Sequence, residues 1–139
     1  MDYETLARSR ICDPLGMNDA RITLGPEMKA RLAVGHNQSM EGVANWDSPT
    51  LARVGALRST ANDLLTFLAA NLGYTKSPLA PALAAMLKVR RPTRQAGLEI
   101  ALVWHVYTTG GKEIVWHNGG TGGYDGLRSE DADRRGSAI

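Results

Sequence analysis

A histidine followed by four glycines is the feature of this sequence best suited to chemistry. The stretch Trp116–Tyr124 reads Trp-His-Asn-Gly-Gly-Thr-Gly-Gly-Tyr and comes directly after an apolar run. Glycines at this density let a backbone approach a ligand closely and direct its N–H groups at an anion. The stretch therefore predicts the wall of a binding site.

The same residues also fit simpler structural roles. The glycines are compatible with a tight turn, and His117 with a strand-end histidine that bonds to a neighbour. They match neither the phosphate loop Gly-x-x-x-x-Gly-Lys-Ser/Thr nor a full Gly-x-Gly-x-x-Gly, because Asp125 occupies the last position. Both the binding wall and the structural turn remain open at this point.

Other reactive residue types favour structural roles. Ser59 and Thr60 precede an apolar helical pattern, which makes them helix caps rather than nucleophiles. Cys12 is the sole cysteine, so no internal disulfide can form, and no base stands near it in sequence. The three tryptophans are interpreted as packing anchors. We predict no metal and no cofactor, because no metal-type spacing relates the histidines, which are His36, His105 and His117.

Composition points to one globular domain. The 139 residues are 43% hydrophobic and 22% charged, with a formal net charge of +2. Basic residues are scattered, which argues against nucleic-acid binding. The N-terminal residues lack the pattern of a secretion signal, and no apolar run reaches membrane-spanning length. These observations predict a soluble chain made in the cytoplasm.

Periodicity predicts three helices, over residues 2–12, 60–72 and 78–88. Asp2 can cap the first helix, and Pro14 is expected to end it. Thr60 can cap the second helix, with Asp63 in the capping-box position. Pro78 suits the first position of the third helix.

A period of two follows the helices. Apolar residues alternate from Leu98 to Tyr107, Thr109–Lys112 forms a turn, and a second strand follows, so residues 98–117 are predicted to form a hairpin. The domain is expected to cover residues 1–124. The polar tail, 125–139, is expected to be poorly ordered.

Three segments resemble motifs of the serine β-lactamase-like family, which includes class C β-lactamases, D-Ala-D-Ala peptidases and related esterases. Asp13–Met17 is similar to the family's "PLGM" segment. Gly55–Phe67 resembles "G-x-L-x-S-T-A-x-D-L-x-x-F". Val103-Trp104 followed by Trp116–Tyr124 is similar to "GW…H-x-G-G-T-G-G". The resemblance implies an incomplete α+β fold, mostly helical, with a helical subdomain and a short antiparallel hairpin.

The resemblance also implies roles for the glycine-rich stretch. Acyl transfer in the family uses Ser-x-x-Lys, Tyr-x-Asn and a third motif, Lys-Thr-Gly or His-x-Gly. His117 would face the substrate carboxylate or leaving group, and the Gly120 N–H would be an oxyanion donor. The implied substrate-side wall is His117, Asn118, Gly119, Gly120, Thr121 and Tyr124.

The printed sequence departs from the family at its other two motifs. No serine is followed three residues later by lysine, and no tyrosine begins Tyr-x-Asn. We therefore predict a truncated hydrolase segment with vestigial His117 and Gly120, inactive alone on β-lactams or esters; whether the chain is an enzyme stays open. The chain is also predicted to self-associate as a homo-oligomer. One alternative function is a non-enzymatic oligomeric module that binds a small acyl, anionic or aromatic ligand. Another is a hydrolase completed by a separate partner chain. A full-length relative could be periplasmic.

Overall fold

The chain forms two compact units. The computed structural model describes residues 1–46, 52–131 and 136–138. Unit 1 comprises residues 1–64 and 119–126, and unit 2 comprises residues 65–118 and 127–139.

Unit 1 begins with a short helical region. It consists of helix α1 (Tyr3–Ala7), a π-helical turn (Arg8–Cys12) and helix α2 (Asp13–Leu15). The predicted cap is confirmed, because the Thr5 N–H donates to Asp2 Oδ1 at 2.7 Å. This bond also lowers the pKa of Asp2 below its usual value.

The first helical region is longer than predicted, since Pro14 lies inside it. The π turn has the Asp13 N–H donate to the Arg8 carbonyl, five residues back. This wider turn relieves the clash between a proline ring and the carbonyl four residues before it. The helix ends instead at Gly16, whose φ is 76°, and the Met17 N–H donates to the Cys12 carbonyl.

Side-chain bonds to the backbone fix the irregular part of unit 1. The Glu4 carboxylate accepts from the N–H groups of Ile22 and Thr23, each at 3.1 Å. An isolated antiparallel bridge joins Arg21 and Arg58. Short regular elements interrupt the segment: helix α3 (Pro26–Ala30), strand β1 (Gly35–His36) and strand β2 (Gly42–Val43), with β1 and β2 antiparallel.

Helix α4 (Ala61–Asn71) begins where the sequence predicted a capped start. The Thr60 hydroxyl oxygen accepts from the Asp63 N–H at 3.2 Å. Asp63 itself is buried, and its carboxylate accepts from the Asp19 N–H at 2.9 Å. The acidic residue thus anchors the loop that follows α2 to the start of α4.

Helix α5 (Ala80–Met86) begins two residues later than predicted. The Ser77 hydroxyl accepts from the Leu79 N–H at 3.1 Å, so a turn precedes the helix. Pro78 lies in this turn. Pro81 occupies the first helical turn, where its missing N–H costs no hydrogen bond.

A six-stranded antiparallel sheet, in the order β3-β4-β5-β6-β7-β8, follows the helices. Its strands are β3 (Arg91–Pro92), β4 (Leu98–Ile100), β5 (His105–Thr109), β6 (Lys112–Thr121), β7 (Tyr124–Asp131) and β8 (Gly136–Ala138). The antiparallel part of the fold is therefore larger than the predicted hairpin.

The alternating run from Leu98 to Tyr107 is two strands, not one. Leu98 pairs with Tyr107, so β4 and β5 form a hairpin of their own. Val103, with φ 74°, turns the chain between them. A period of two cannot reveal such a reversal, because both arms keep the alternation.

The turn between β5 and β6 is the predicted one. Thr109 pairs with Lys112, and the two central residues, Gly110 and Gly111, have φ values of 57° and 77°. Positive φ at both central positions is typical of the type I′ turn that suits a twisted hairpin.

Strands occur within the predicted polar tail. Tyr124–Asp131 forms β7 and Gly136–Ala138 forms β8, with Ser129 opposite Ala138. Pairing of backbone groups between these strands needs no apolar pattern in the sequence. Residues 132–135 and 139, which the same prediction covered, lie outside the described part of the chain.

Unit 2 has a compact apolar core. Its largest buried side chains, each at most 5% exposed, are Trp104, Val106 and Val115. The residues that pack with them are Phe67, Met86, Leu87 and Ala101. Beside this core, the Arg90 guanidinium donates to both carboxylate oxygens of Glu113. These bonds hold the pKa of Glu113 below its usual value of 4.5.

The α+β class predicted from the sequence is confirmed. Helices and antiparallel strands both contribute to the chain, in the order described above. None of the helices in the described ranges is long and apolar enough to cross a membrane.

Candidate functional site

The glycine-rich stretch lies at the end of β6 and in the turn to β7. His117 and Asn118 are exposed residues of β6 in unit 2. The last three residues of β6 are Gly119, Gly120 and Thr121. They belong to unit 1, together with the following turn and Tyr124. The predicted wall is thus divided between the two units.

A cavity of about 490 Å³ lies within unit 1. Of the predicted wall residues it brings together Gly119, Thr121 and Tyr124. Further lining residues come from the irregular segment and the start of α4: Leu24, Met28, Leu32, Asn45, Trp46, Leu57, Ser59 and Leu64. The volume falls within the range of ligand sites, roughly 300–1,000 Å³. The lining combines apolar side chains with polar and charged ones, the charged ones being Asp19, Arg31, Arg58 and Asp125.

Tyr124 fixes one wall of this cavity. Its hydroxyl donates to the carbonyl oxygen of Ala33 and lies 2.8 Å from the side-chain amide of Asn45. The Asn45 atom in this contact is Oδ1, also an acceptor, so the single phenolic proton is donated to one of the two oxygens at a time. Two residues distant in sequence are thereby held on the same tyrosine.

The same wall depends on a close approach of two backbones. The His36 N–H donates to the Gly123 carbonyl at 2.9 Å. A Cβ placed on Gly35 would lie 2.6 Å from the Gly122 carbonyl oxygen, and one on Gly123 would lie 2.6 Å from backbone atoms of Gly35 and His36. Glycine is required on both sides of this contact.

Gly120 is exposed and does not line the cavity. The Asp125 carboxylate is close to it, with Oδ1 2.7 Å from the position of a Cβ on Gly120. A carboxylate so near disfavours a second negative charge at this backbone position.

The two arginines that line the cavity have partners of their own. Arg31 pairs with Asp19 at 2.9 Å. The Arg58 guanidinium donates to the Ile22 carbonyl at 3.1 Å. The Ser59 Oγ is buried, with no hydrogen-bond partner among the described residues. The cavity is therefore lined by polar groups and paired arginines, and the carboxylate of Asp125 also lies in its lining.

In unit 2, His117 is held by the turn between β4 and β5. Its Nδ1 lies 2.9 Å from the Val103 carbonyl oxygen. Its ring centroid is 6.5 Å from that of Trp104, edge to face, and 6.1 Å from that of His105, nearly parallel. His105 in turn stacks on Trp116, with centroids 4.2 Å apart.

Cys12 is not placed for reactivity. It is 1% exposed, and burial raises the pKa of its thiol, which opposes thiolate formation. Within the described ranges, no group of three or more potential metal ligands occurs.

Sequence reasoning missed most of the cavity lining. Asn45, Trp46 and the residues of α3 lie in a segment without helical or strand periodicity, so no pattern assigned them a face. The available signal was local: a tryptophan next to an asparagine in a turn-rich stretch.

The fold of this chain is similar to that of solved beta-lactamase structures. The class C beta-lactamase of Rhodobacter sphaeroides has a similar structure, with a TM-score of 0.86 and 18% identity over 97% of this chain. A beta-lactamase/D-alanine carboxypeptidase of Pseudomonas syringae gives a TM-score of 0.82 and 20% identity, again over 97% of this chain. This chain covers 47% and 46% of those two proteins.

The family model described as Beta-lactamase matches residues 1–131, and the chain belongs to that family. A human relative, putative beta-lactamase-like 1, is 29% identical over 133 residues. That match covers 88% of this chain and 25% of the human protein. The chain thus spans about a quarter of this relative and just under half of the solved structures.

Proposed function

We propose that this chain forms part of the acyl-binding pocket of a β-lactamase-like serine hydrolase. The observation that carries the proposal is the cavity of unit 1, which gathers Gly119, Thr121 and Tyr124 from the family's third motif region. Its apolar lining suits an acyl side chain, and Asn45 and Tyr124 offer polar contacts.

By itself, the 139-residue chain is expected to be inactive. The printed sequence has neither Ser-x-x-Lys nor Tyr-x-Asn, so the pocket wall has no activated nucleophile to serve. An oxyanion donor such as the Gly120 N–H is worth about 3 kcal/mol only when a nucleophile generates the oxyanion.

The test is hydrolysis of nitrocefin and p-nitrophenyl acetate by the purified chain. We expect rates equal to those of the His117→Ala variant and of a heat-denatured sample. Rapid turnover that disappears in His117→Ala would overturn the proposal, and so would an acyl adduct detected by mass spectrometry.

The cavity also favours a second candidate, a non-enzymatic binding module for small anionic or aromatic ligands. The cavity is formed by residues of unit 1 alone, so binding needs no hydrolytic partner. Benzoate and benzamide share a ring and differ in charge; either should raise the melting temperature if it binds. This module is expected to be a homo-oligomer. A monomer by light scattering, with no melting shift for either compound, would refute it.

A third proposal is that another polypeptide supplies the nucleophile. The chain covers less than half of the solved relatives it resembles. Co-expression with a segment that carries Ser-x-x-Lys and Tyr-x-Asn should then yield a stable complex that hydrolyses nitrocefin. Failure of the two chains to co-purify would contradict this proposal.

A further inference from the structure

The contacts of His117 determine which of its ring nitrogens carries a proton. Its Nδ1 lies 2.9 Å from the carbonyl oxygen of Val103. A carbonyl oxygen can only accept, so Nδ1 must carry the proton that is donated. In the neutral ring the other nitrogen, Nε2, then has a lone pair and no proton.

The acceptor of this bond is an unusual one. Val103 has φ 74°, a left-handed conformation that a β-branched residue rarely adopts, and its side chain is 60% exposed. Burial of the Val103 side chain does not account for this backbone conformation. The hydrogen bond from His117 favours the left-handed conformation of Val103, because the turn directs the Val103 carbonyl oxygen towards His117 Nδ1.

The rings around His117 restrict its orientation. Trp104 meets the ring edge to face and His105 lies nearly parallel to it. Rotation of the imidazole by 180° would replace Nδ1 with a carbon and lose the bond. His105 is the titratable neighbour in these contacts, and its own Nδ1 is buried without a partner within the described ranges.

We propose that Val103 is a positioning residue: its carbonyl holds His117 in the Nδ1–H tautomer, so that Nε2 is presented as a hydrogen-bond acceptor. The neutral ring then favours an N–H or O–H donor opposite Nε2, such as a leaving-group amine or hydroxyl, whereas a carboxylate would need the protonated ring. The nature of the group opposite His117 rests on the proposed pocket function. The tautomer of His117 does not depend on that function.

The decisive experiment is a long-range ¹H–¹⁵N correlation spectrum of the full chain, labelled with ¹⁵N-histidine and recorded at alkaline pH, where imidazoles are neutral. We expect Nδ1 to resonate as a protonated nitrogen and Nε2 as an unprotonated one. The reverse assignment, or intermediate shifts that indicate a mixture of tautomers, would overturn the proposal. Neither result depends on hydrolysis, so the pocket proposal is tested separately.

A pair of amide variants gives an independent test. The amide nitrogen of His117→Asn can occupy the place of Nδ1 and donate to Val103, whereas that of His117→Gln corresponds to Nε2. We expect His117→Asn to melt within about 1 °C of the wild type and His117→Gln roughly 3 °C lower. Equal melting temperatures for the two variants would contradict the assignment.

Discussion

Unit 1 and unit 2 are ordered by different means. In unit 2, large apolar side chains such as Trp104, Val106 and Val115 are buried together under regular hairpins. In unit 1 the buried apolar residues are few and mostly small, namely Ala7, Cys12, Met17 and Ala20. Its irregular segment is instead held by single side chains that bond to distant backbone groups. We therefore expect apolar burial to contribute most to the stability of unit 2. In unit 1 we expect individual polar contacts to contribute most.

The largest expected effect is in the core of unit 2. Trp104→Ala should lower the free energy of unfolding by about 3–5 kcal/mol, because it removes a side chain that is 5% exposed and leaves a cavity. Urea unfolding measures this loss. The matched control is Trp46→Ala in unit 1, where the side chain is 65% exposed and the expected loss is under about 1 kcal/mol. Equal losses would remove the contrast between the units.

Tyr124→Phe tests the polar contacts of unit 1. The variant keeps the ring and removes the hydroxyl that bonds to Ala33 and Asn45. Two groups lose their partner, so we expect a loss of about 1–2 kcal/mol in urea unfolding. Tyr107→Phe in unit 2 is the control, expected to change stability by less than about 0.5 kcal/mol. If both variants behave alike, the hydroxyl of Tyr124 does not hold this wall.

The smallest effect concerns the ion pair of unit 2. Glu113→Gln should cost about 0.2–1 kcal/mol at pH 7, because Glu113 and Arg90 are 37% and 25% exposed and water screens them. Arg90 lowers the pKa of Glu113 in the folded state, so this stability is present above pH 4.5 and is lost as the pH falls through the folded pKa. Chemical denaturation from pH 7 to pH 2 should show the two proteins converging. If the two proteins still differ in stability at pH 2, the ion pair between Arg90 and Glu113 is not the cause of the difference.

The sequence predicted elements that depend on local signals. The Thr60 cap, the Gly110–Gly111 turn and the α+β class needed only neighbouring residues or a short period. The length of the first helical region was missed because a π turn accommodates Pro14. The reversal at Val103 was missed because a β-branched residue gives no turn signal.

Only part of the cavity lining could be predicted from local sequence patterns. The glycine-rich stretch identified Gly119, Thr121 and Tyr124, which line the cavity. The opposite lining, including Asn45, comes from a segment placed by contacts up to 91 residues apart in sequence. No local pattern encodes contacts of that kind.

The contact between Gly35 and Gly123 limits how this protein can change. Even a methyl group at either position would collide with the backbone of the other segment at about 2.6 Å. Because the obstacle is main chain, no compensating side-chain replacement elsewhere can make room for it. In a saturation library, these two codons should therefore accept almost no alternatives, singly or as a pair, whereas Gly110 and Gly111, with open space around them, should tolerate asparagine or aspartate.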